Sequence, residues 1–226
     1  MSEASGRSIS VQRLWQGRAH VSQLWQPAFT GLPTTWNHAA TETVIADWVR
    51  QKANVLDFNH RRFLSTWGTS LTDRSWAYVE SLATPFPAAL PNTASFRRGR
   101  TVTPAQVAIW RTVIEQLRYL DDQEGGNLEN LCFAHRYLLT LAQHLKAGEA
   151  CDADVHAELL RLWMHLCQIA GWMAYDAEQH GLAQRYFYSG LHAARSTEDA
   201  TYGAYLLGLL AHQAIYREIR TALLAG

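Results

Sequence analysis

Residues 103–126 read Thr103-Pro104-Ala105-Gln106-Val107-Ala108-Ile109-Trp110-Arg111-Thr112-Val113-Ile114-Glu115-Gln116-Leu117-Arg118-Tyr119-Leu120-Asp121-Asp122-Gln123-Glu124-Gly125-Gly126. Thr103 supplies an N-cap hydroxyl, Pro104 occupies the first helical position, where no N–H is needed, and Gln106 is placed to reach back as in a capping box. Val107, Trp110, Val113, Ile114, Leu117 and Leu120 then recur at three- and four-residue steps until the acidic turn and the paired glycines close the pattern. The stretch is an amphipathic helix that opens a domain.

Outward from it, the six prolines (27, 33, 85, 87, 91 and 104) leave the last 122 residues free of helix breakers. Helices are predicted over about 128–145, 155–180, 182–194 beyond a turn at Gly181, and from Ser196-Thr197-Glu198-Asp199 to about 224. Turns this short force neighbouring helices to pack antiparallel. Gly171, Ala183, Phe187 and Gly190 fall at the small, small, aromatic and small offsets of a tetratricopeptide (TPR) unit, although any close-packed antiparallel bundle also needs small residues where helices meet. The expected fold is all-α, with a TPR-like array over 104–226 that folds without residues 1–83. The first half is less regular: helical spacing over 11–24 and 42–55, a short helix over 61–71, and a Pro-rich basic linker over 84–103.

Composition narrows the function classes. With 226 residues, 48% hydrophobic, 18% charged and 20 Lys+Arg balanced by 20 Asp+Glu, the chain is neither a disordered polyelectrolyte nor a membrane protein. The start MSEASGRSIS lacks the apolar segment of a secretory signal, so a cytoplasmic location is expected. Cys132, Cys151 and Cys167 form no C-x-x-C pair and read as core thiols. The neutral total conceals eleven Lys/Arg against six Asp/Glu in residues 1–102 and nine against fourteen in 103–226, opposite imbalances of five charges each. Such a split suits a nucleic-acid-facing part joined to a docking part, or head-to-tail self-association.

Several stretches occur in order: Trp36-Asn37-His38-Ala39-Ala40-Thr41 with Trp48, Arg61-Arg62-Phe63-Leu64, Arg97-Arg98-Gly99-Arg100 with Pro104, Leu120-Asp121 with Gly125-Gly126, then Ala170-Gly171-Trp172-Met173-Ala174-Tyr175-Asp176 and His180-Gly181-Leu182-Ala183-Gln184-Arg185-Tyr186. Together they resemble the long regulatory region of Xre-type helix-turn-helix regulators of filamentous actinobacteria, proteins linked to sporulation and secondary metabolism. The resemblance covers roughly residues 36–226. It implies a TPR-like sensor region that follows a helix-turn-helix, yet the 35 residues before Trp36 hold one convincing helix, so that unit is expected to be missing or incomplete. Residues 10–18 are similar to its recognition helix.

The candidate chemistry follows from these readings. Arg13 and Arg18, with the Arg97, Arg98 and Arg100 cluster, are suited to phosphate contacts. Glu129, Cys132 and His135 share one helix and His165 and Cys167 another, but neither set has a metal-ligand spacing, so no metal and no cofactor are expected. No nucleophile elbow and no phosphate loop are found. Aromatic and polar density rises around Trp172, Tyr175, Asp176, Gln179, Arg185, Tyr186 and His212, a mixture suited to a concave ligand or partner site. Asp176 and Arg185 lie nine positions apart across the turn, placed either to pair with each other or to present charges to a ligand. The expected function is a non-enzymatic regulator that binds a small molecule or a peptide or protein partner, with DNA bound weakly if at all, no membrane and a homodimer as the simplest assembly. The alternative is a biosynthetic enzyme that reuses the scaffold with a cavity of Trp, Tyr and His.

Any DNA contact by Arg13, Arg18 and the Arg97–Arg100 cluster should be sequence-independent and should weaken steeply with salt. A filter-binding titration from low to physiological salt checks this, and tight binding to one operator with a scrambled site ignored would refute it.

Overall fold

The computed structural model describes residues 25–50, 62–86, 102–147 and 153–225. Arg13, Arg18, Arg97, Arg98, Arg100, Cys151, most of the expected linker and the expected helix over 11–24 lie outside these residues. The protein is all-α. Its elements are β1 (Trp25–Pro27), α1 (His38–Arg50), β2 (Arg62–Leu64), α2 (Thr69–Leu82), α3 (Pro104–Glu124), α4 (Leu128–Ala147), α5 (Ala153–Asp176), α6 (His180–Ser196) and α7 (Ala200–Ala225).

The helix starts follow cap chemistry. Thr103 Oγ1 accepts from Gln106 N at 3.3 Å and Gln106 Oε1 accepts from Thr103 N at 2.8 Å, a complete capping box on α3. Side chains of Asn37, Asn127 and Asp199 accept from Ala40 N, Asn130 N and Tyr202 N and so open α1, α4 and α7. The turns that end α5 and α6 are built alike. Gln179 N reaches Ala174 O at 2.8 Å and Glu178 N reaches Tyr175 O at 3.0 Å, and the pattern repeats with Asp199 N to Ala194 O and Glu198 N to Arg195 O. Both are Schellman closures with a left-handed residue at the turn, Glu178 at φ 60° and Glu198 at φ 54°. The left-handed position of the first turn is therefore Glu178, not the expected Gly181, which lies inside α6 against the Phe63 carbonyl.

Two expectations for the first half are corrected. Residues 62–64 are not helical but form a short parallel ribbon with β1, in the register Trp25 to Arg62, Gln26 to Phe63 and Pro27 to Leu64. The helix begins only after Gly68, whose φ of 64° redirects the chain, and α2 then runs to Leu82, well past the expected end at 71 and up to the expected linker. Its signal is faint in sequence because only Leu71 and Tyr78 turn inward.

Antiparallel hairpins order the rest. α5 packs against α3, α4 and α6, while α6 packs against α5, α7, α1 and β2, and α1 lies across α4 and α6. Gly171 and Phe187 meet where α5 and α6 cross, and a Cβ on Gly171 would overlap the Phe187 ring. Two residues further along α5, a Cβ on Gly126 would stand 2.5 Å from Met173 Cα, so the α3–α4 turn closes directly on the α5 backbone. Every residue of α6 from Gly181 to Arg195 is buried.

The polar side of α6 accounts for its complete enclosure. Arg185 Nη1 donates to Ala28 O at 2.8 Å and Thr30 O at 2.9 Å, its Nη2 pairs with Asp47, and its guanidinium lies 4.8 Å from the Phe63 ring. Gln184 exchanges two hydrogen bonds with the backbone of Thr66, at 2.7 and 2.9 Å. Trp48 Nε1 donates to Ser189 Oγ, and Arg195 donates to Ser81 O and Thr84 O at the carboxyl end of α2, where a cation is favoured. Residues from both sides of the expected 84–103 boundary thus enter a single core, which runs from Ala28, Val44 and Trp48 through Trp163 and Phe187 to Leu210.

Breaking this junction should be costly. Asp47→Ala leaves the buried guanidinium without its carboxylate, which costs about 3–5 kcal/mol, whereas Asp47→Leu combined with Arg185→Met should recover most of the loss. The isolated segment 104–226 should melt below the full chain, since it lacks Ala28, Thr30 and Asp47. Thermal melts of the four proteins check both statements; a segment as stable as the whole would show that the junction contributes nothing.

Candidate functional site

α3, α5 and α7 form a cleft of about 260 Å³ lined by Arg118, Asp121, Asp122, Gln168, Ile169, Trp172, Tyr205 and Leu209. The spacing of each helix places these side chains. Arg118, Asp121 and Asp122 lie at i, i+3 and i+4 on α3, and Gln168 and Trp172 are one turn apart on α5. On α7, Tyr205, Leu209, His212 and Tyr216 follow at i, i+4, i+7 and i+11, a single stripe turned toward α5.

Polar ties set the walls. Arg118 Nη2 lies 2.9 Å from His165 Nδ1, and the Tyr202 hydroxyl lies 2.8 Å from the same nitrogen and 3.3 Å from Gln168 Oε1. A guanidinium only donates, so Nδ1 accepts and the imidazole carries its proton on Nε2. Burial, with Arg118 adding to it, lowers His165 to about 4, and burial lifts the Tyr202 hydroxyl to about 12. At neutral pH both groups are uncharged. Asp121 differs: burial first, then Asp176 and Asp122, push its carboxyl up to about 6. One of its oxygens, Oδ1, is enclosed without a hydrogen-bond partner among the described residues.

The cleft continues into an aromatic belt. Tyr175 stacks on Trp172 at 5.2 Å, and both rings lie 5.7 Å from His212, with Tyr216 5.9 Å and His180 5.4 Å from Tyr175. Of the residues singled out from sequence, Trp172, Tyr175 and His212 share this belt. Asp176 and Gln179 lie beside it, at the end of α5 and in the turn, and Asp176 accepts from Gly126 N at 3.2 Å. Arg185 and Tyr186 are elsewhere. Both are fully buried on the far side of α6, Arg185 against Asp47 and Tyr186 with its ring on Trp48 at 4.7 Å and its hydroxyl 2.5 Å from His135 Nδ1. The pairing of Asp176 with Arg185 therefore does not form. A guanidinium seeks the nearest carboxylate in its own enclosure, and that is Asp47.

Sequence reasoning does not single out the α3 wall or Gln168, Ile169 and Leu209. Arg118, Asp121 and Asp122 have the look of a solvated helix end, and their i, i+3, i+4 spacing was the signal that they share one face. Among the described residues no group of three His, Cys, Asp or Glu side chains could hold a metal ion, and no helix is long and apolar enough to cross a membrane. Cys167 is buried and its thiol is pushed well above its ordinary value by burial. Comparison with protein-family models, with curated proteins and with solved structures finds no match to this chain.

These titrations have opposite effects on stability. Burial lowers His135 and His192 from 6.5 to about 3. An unfolded histidine takes its proton near 6.5, so the native chain binds fewer protons below that pH and loses about 1.4 kcal/mol per histidine per pH unit as acid is added. Asp121, raised from 3.8 to about 6, keeps a proton that the unfolded chain releases, so stability is lost as pH rises through that window and the loss is complete above it. Asp121→Asn should consequently raise the melting temperature at pH 7.5 and leave it unchanged near pH 3.5. An equal gain at both pH values in calorimetry would show that ionisation of Asp121 is not the source.

Proposed function

We propose that this chain is a non-enzymatic regulatory protein whose helical array takes a small molecule, or the tip of a partner's peptide, in the α3–α5–α7 cleft and so shifts its population between two states. The observation that carries this reading is the cleft itself: a concavity with aromatic and aliphatic walls and a few convergent polar groups, the usual make-up of a ligand site. Its volume lies below the roughly 300–1,000 Å³ of drug-sized pockets, which favours a small ligand or a single inserted side chain. The packing of each helix from α3 to α7 on the next, with α3 also against α5, and the close contact of Gly171 with Phe187 support a TPR-like arrangement. The resemblance of the ordered motifs to those of Xre-type regulators supports a place in transcriptional control of development or secondary metabolism.

The second reading, a biosynthetic enzyme on the same scaffold, is favoured by one observation. Asp121 has a carboxyl near 6 in a cleft, in the range suited to proton transfer.

Ligand-observed NMR with a fragment library, followed by calorimetric titration of the hits, tests the site. Tyr205 is half exposed, so Tyr205→Ala should leave the melting temperature nearly unchanged while weakening cleft ligands by about tenfold, the loss of one aromatic contact. Hits that bind Tyr205→Ala as well as the parent chain would remove the cleft from consideration. Turnover of a bound fragment that stops in Asp121→Asn would favour the enzyme.

A further inference from the structure

The geometry points to a small organic cation, an amine joined to a flat apolar body, as the ligand class of the α3–α5–α7 cleft. This inference rests on the reading of that cleft as a ligand site and adds the chemistry that would be selected there.

Charge balance is the first support. Asp121 and Asp122 line the cleft, and Asp176 reaches over from the end of α5 to press on Asp121. None of the three carboxylates forms an ion pair among the described residues. Among the described residues the one cation of the lining, Arg118, is directed toward the neutral His165 nitrogen at 2.9 Å. The unbalanced charge of the cleft is therefore negative, and on the half-buried Asp121 burial makes it costly, while Asp122 and Asp176 stand exposed beside it. A cation placed beside Asp121 relieves both the desolvation and the repulsion from its neighbours.

The walls are the second support. Tyr175 covers one face of Trp172, and Trp172 lines the cleft together with Tyr205, which meets Tyr202 edge to face at 5.7 Å. Aromatic rings next to carboxylates form the usual cage for ammonium groups, because the ring quadrupole attracts a cation that an anionic side chain also holds. Ile169 and Leu209 add an apolar surface for the hydrocarbon part of the ligand. An anionic ligand would meet two carboxylates and one arginine already engaged. A neutral ligand would leave the enclosed Asp121 uncompensated.

Calorimetric titration of the full chain at pH 7.5 with four probes of similar frame separates the possibilities: phenethylamine, 2-phenylethanol, 3-phenylpropionate and phenylalanine. Phenethylamine should bind at least about tenfold more tightly than the alcohol, as expected for one charge-assisted contact plus a cation–π contact, with the propionate weakest. Asp121→Asn, which should fold at least as stably as the parent chain, should bring the amine to the affinity of the alcohol without changing the alcohol. Equal binding of amine and alcohol, a preference that survives Asp121→Asn, or phenylalanine binding more tightly than the amine would each overturn the cation assignment. If the probes bind without regard to charge and Tyr205→Ala weakens all of them, the cleft stands and only its ligand class falls. If no probe binds at millimolar concentration, or Tyr205→Ala changes none, the cleft falls as well.

Discussion

A guanidinium with only 1% of its side chain exposed ties the two halves of this chain together. Arg185 lies in the middle of the most enclosed helix, and its donors are used on two carbonyls of the turn after β1 and on a carboxylate of α1, while its flat face rests on Phe63 of β2. A charge buried this deeply is tolerated only when its hydrogen-bonding directions are met. The positions of β1, α1 and β2 relative to α6 follow from that requirement. Gln184, Ser189 and Arg195 extend the same logic along α6, each meeting a backbone or side-chain partner from the first eighty-odd residues. The first half of the chain is thus held to the second by polar directions as well as by the shared apolar core, and the polar directions are more specific than apolar contact alone.

Much of the array was legible beforehand. Thr103, Pro104 and Gln106 marked the start of α3 because cap chemistry is local, and α3 to α7 could be followed because no proline interrupts them. The ribbon and α2 were not legible. A three-residue strand has no period to detect, and α2 turns only two buried side chains inward. The polar residues of α6 posed a different difficulty: Gln184, Arg185 and Ser189 mark one helix face as solvated, whereas that face is covered by residues more than a hundred positions away. The same ambiguity groups residues that the fold separates, since Arg185 and Tyr186 follow Trp172 and Tyr175 by one short turn in sequence but point to the opposite side of their helix pair.

The cleft owes its shape to a separate set of ties, all of which involve α5. Arg111 meets Glu158 at 2.8 Å, Arg118 meets His165 and Gly126 N meets Asp176, so α3 is fastened to α5 at intervals along its length. On the other side Tyr202 reaches Gln168, and His212 contacts Trp172. Between these walls the half-buried Asp121, pressed by Asp122 and Asp176, is a locally unfavourable arrangement that the rest of the fold offsets.

The distance in sequence between Arg185 and its partners also affects how the protein is made. Ala28 and Arg185 are 157 positions apart, and at a synthesis rate of about 5–20 residues per second the first waits roughly 8 to 30 s for the second. The later hairpins close over short loops and need no such delay. During that interval Trp36 and Trp48 have no α6 to cover them, so the nascent chain carries this apolar surface uncovered until α6 follows.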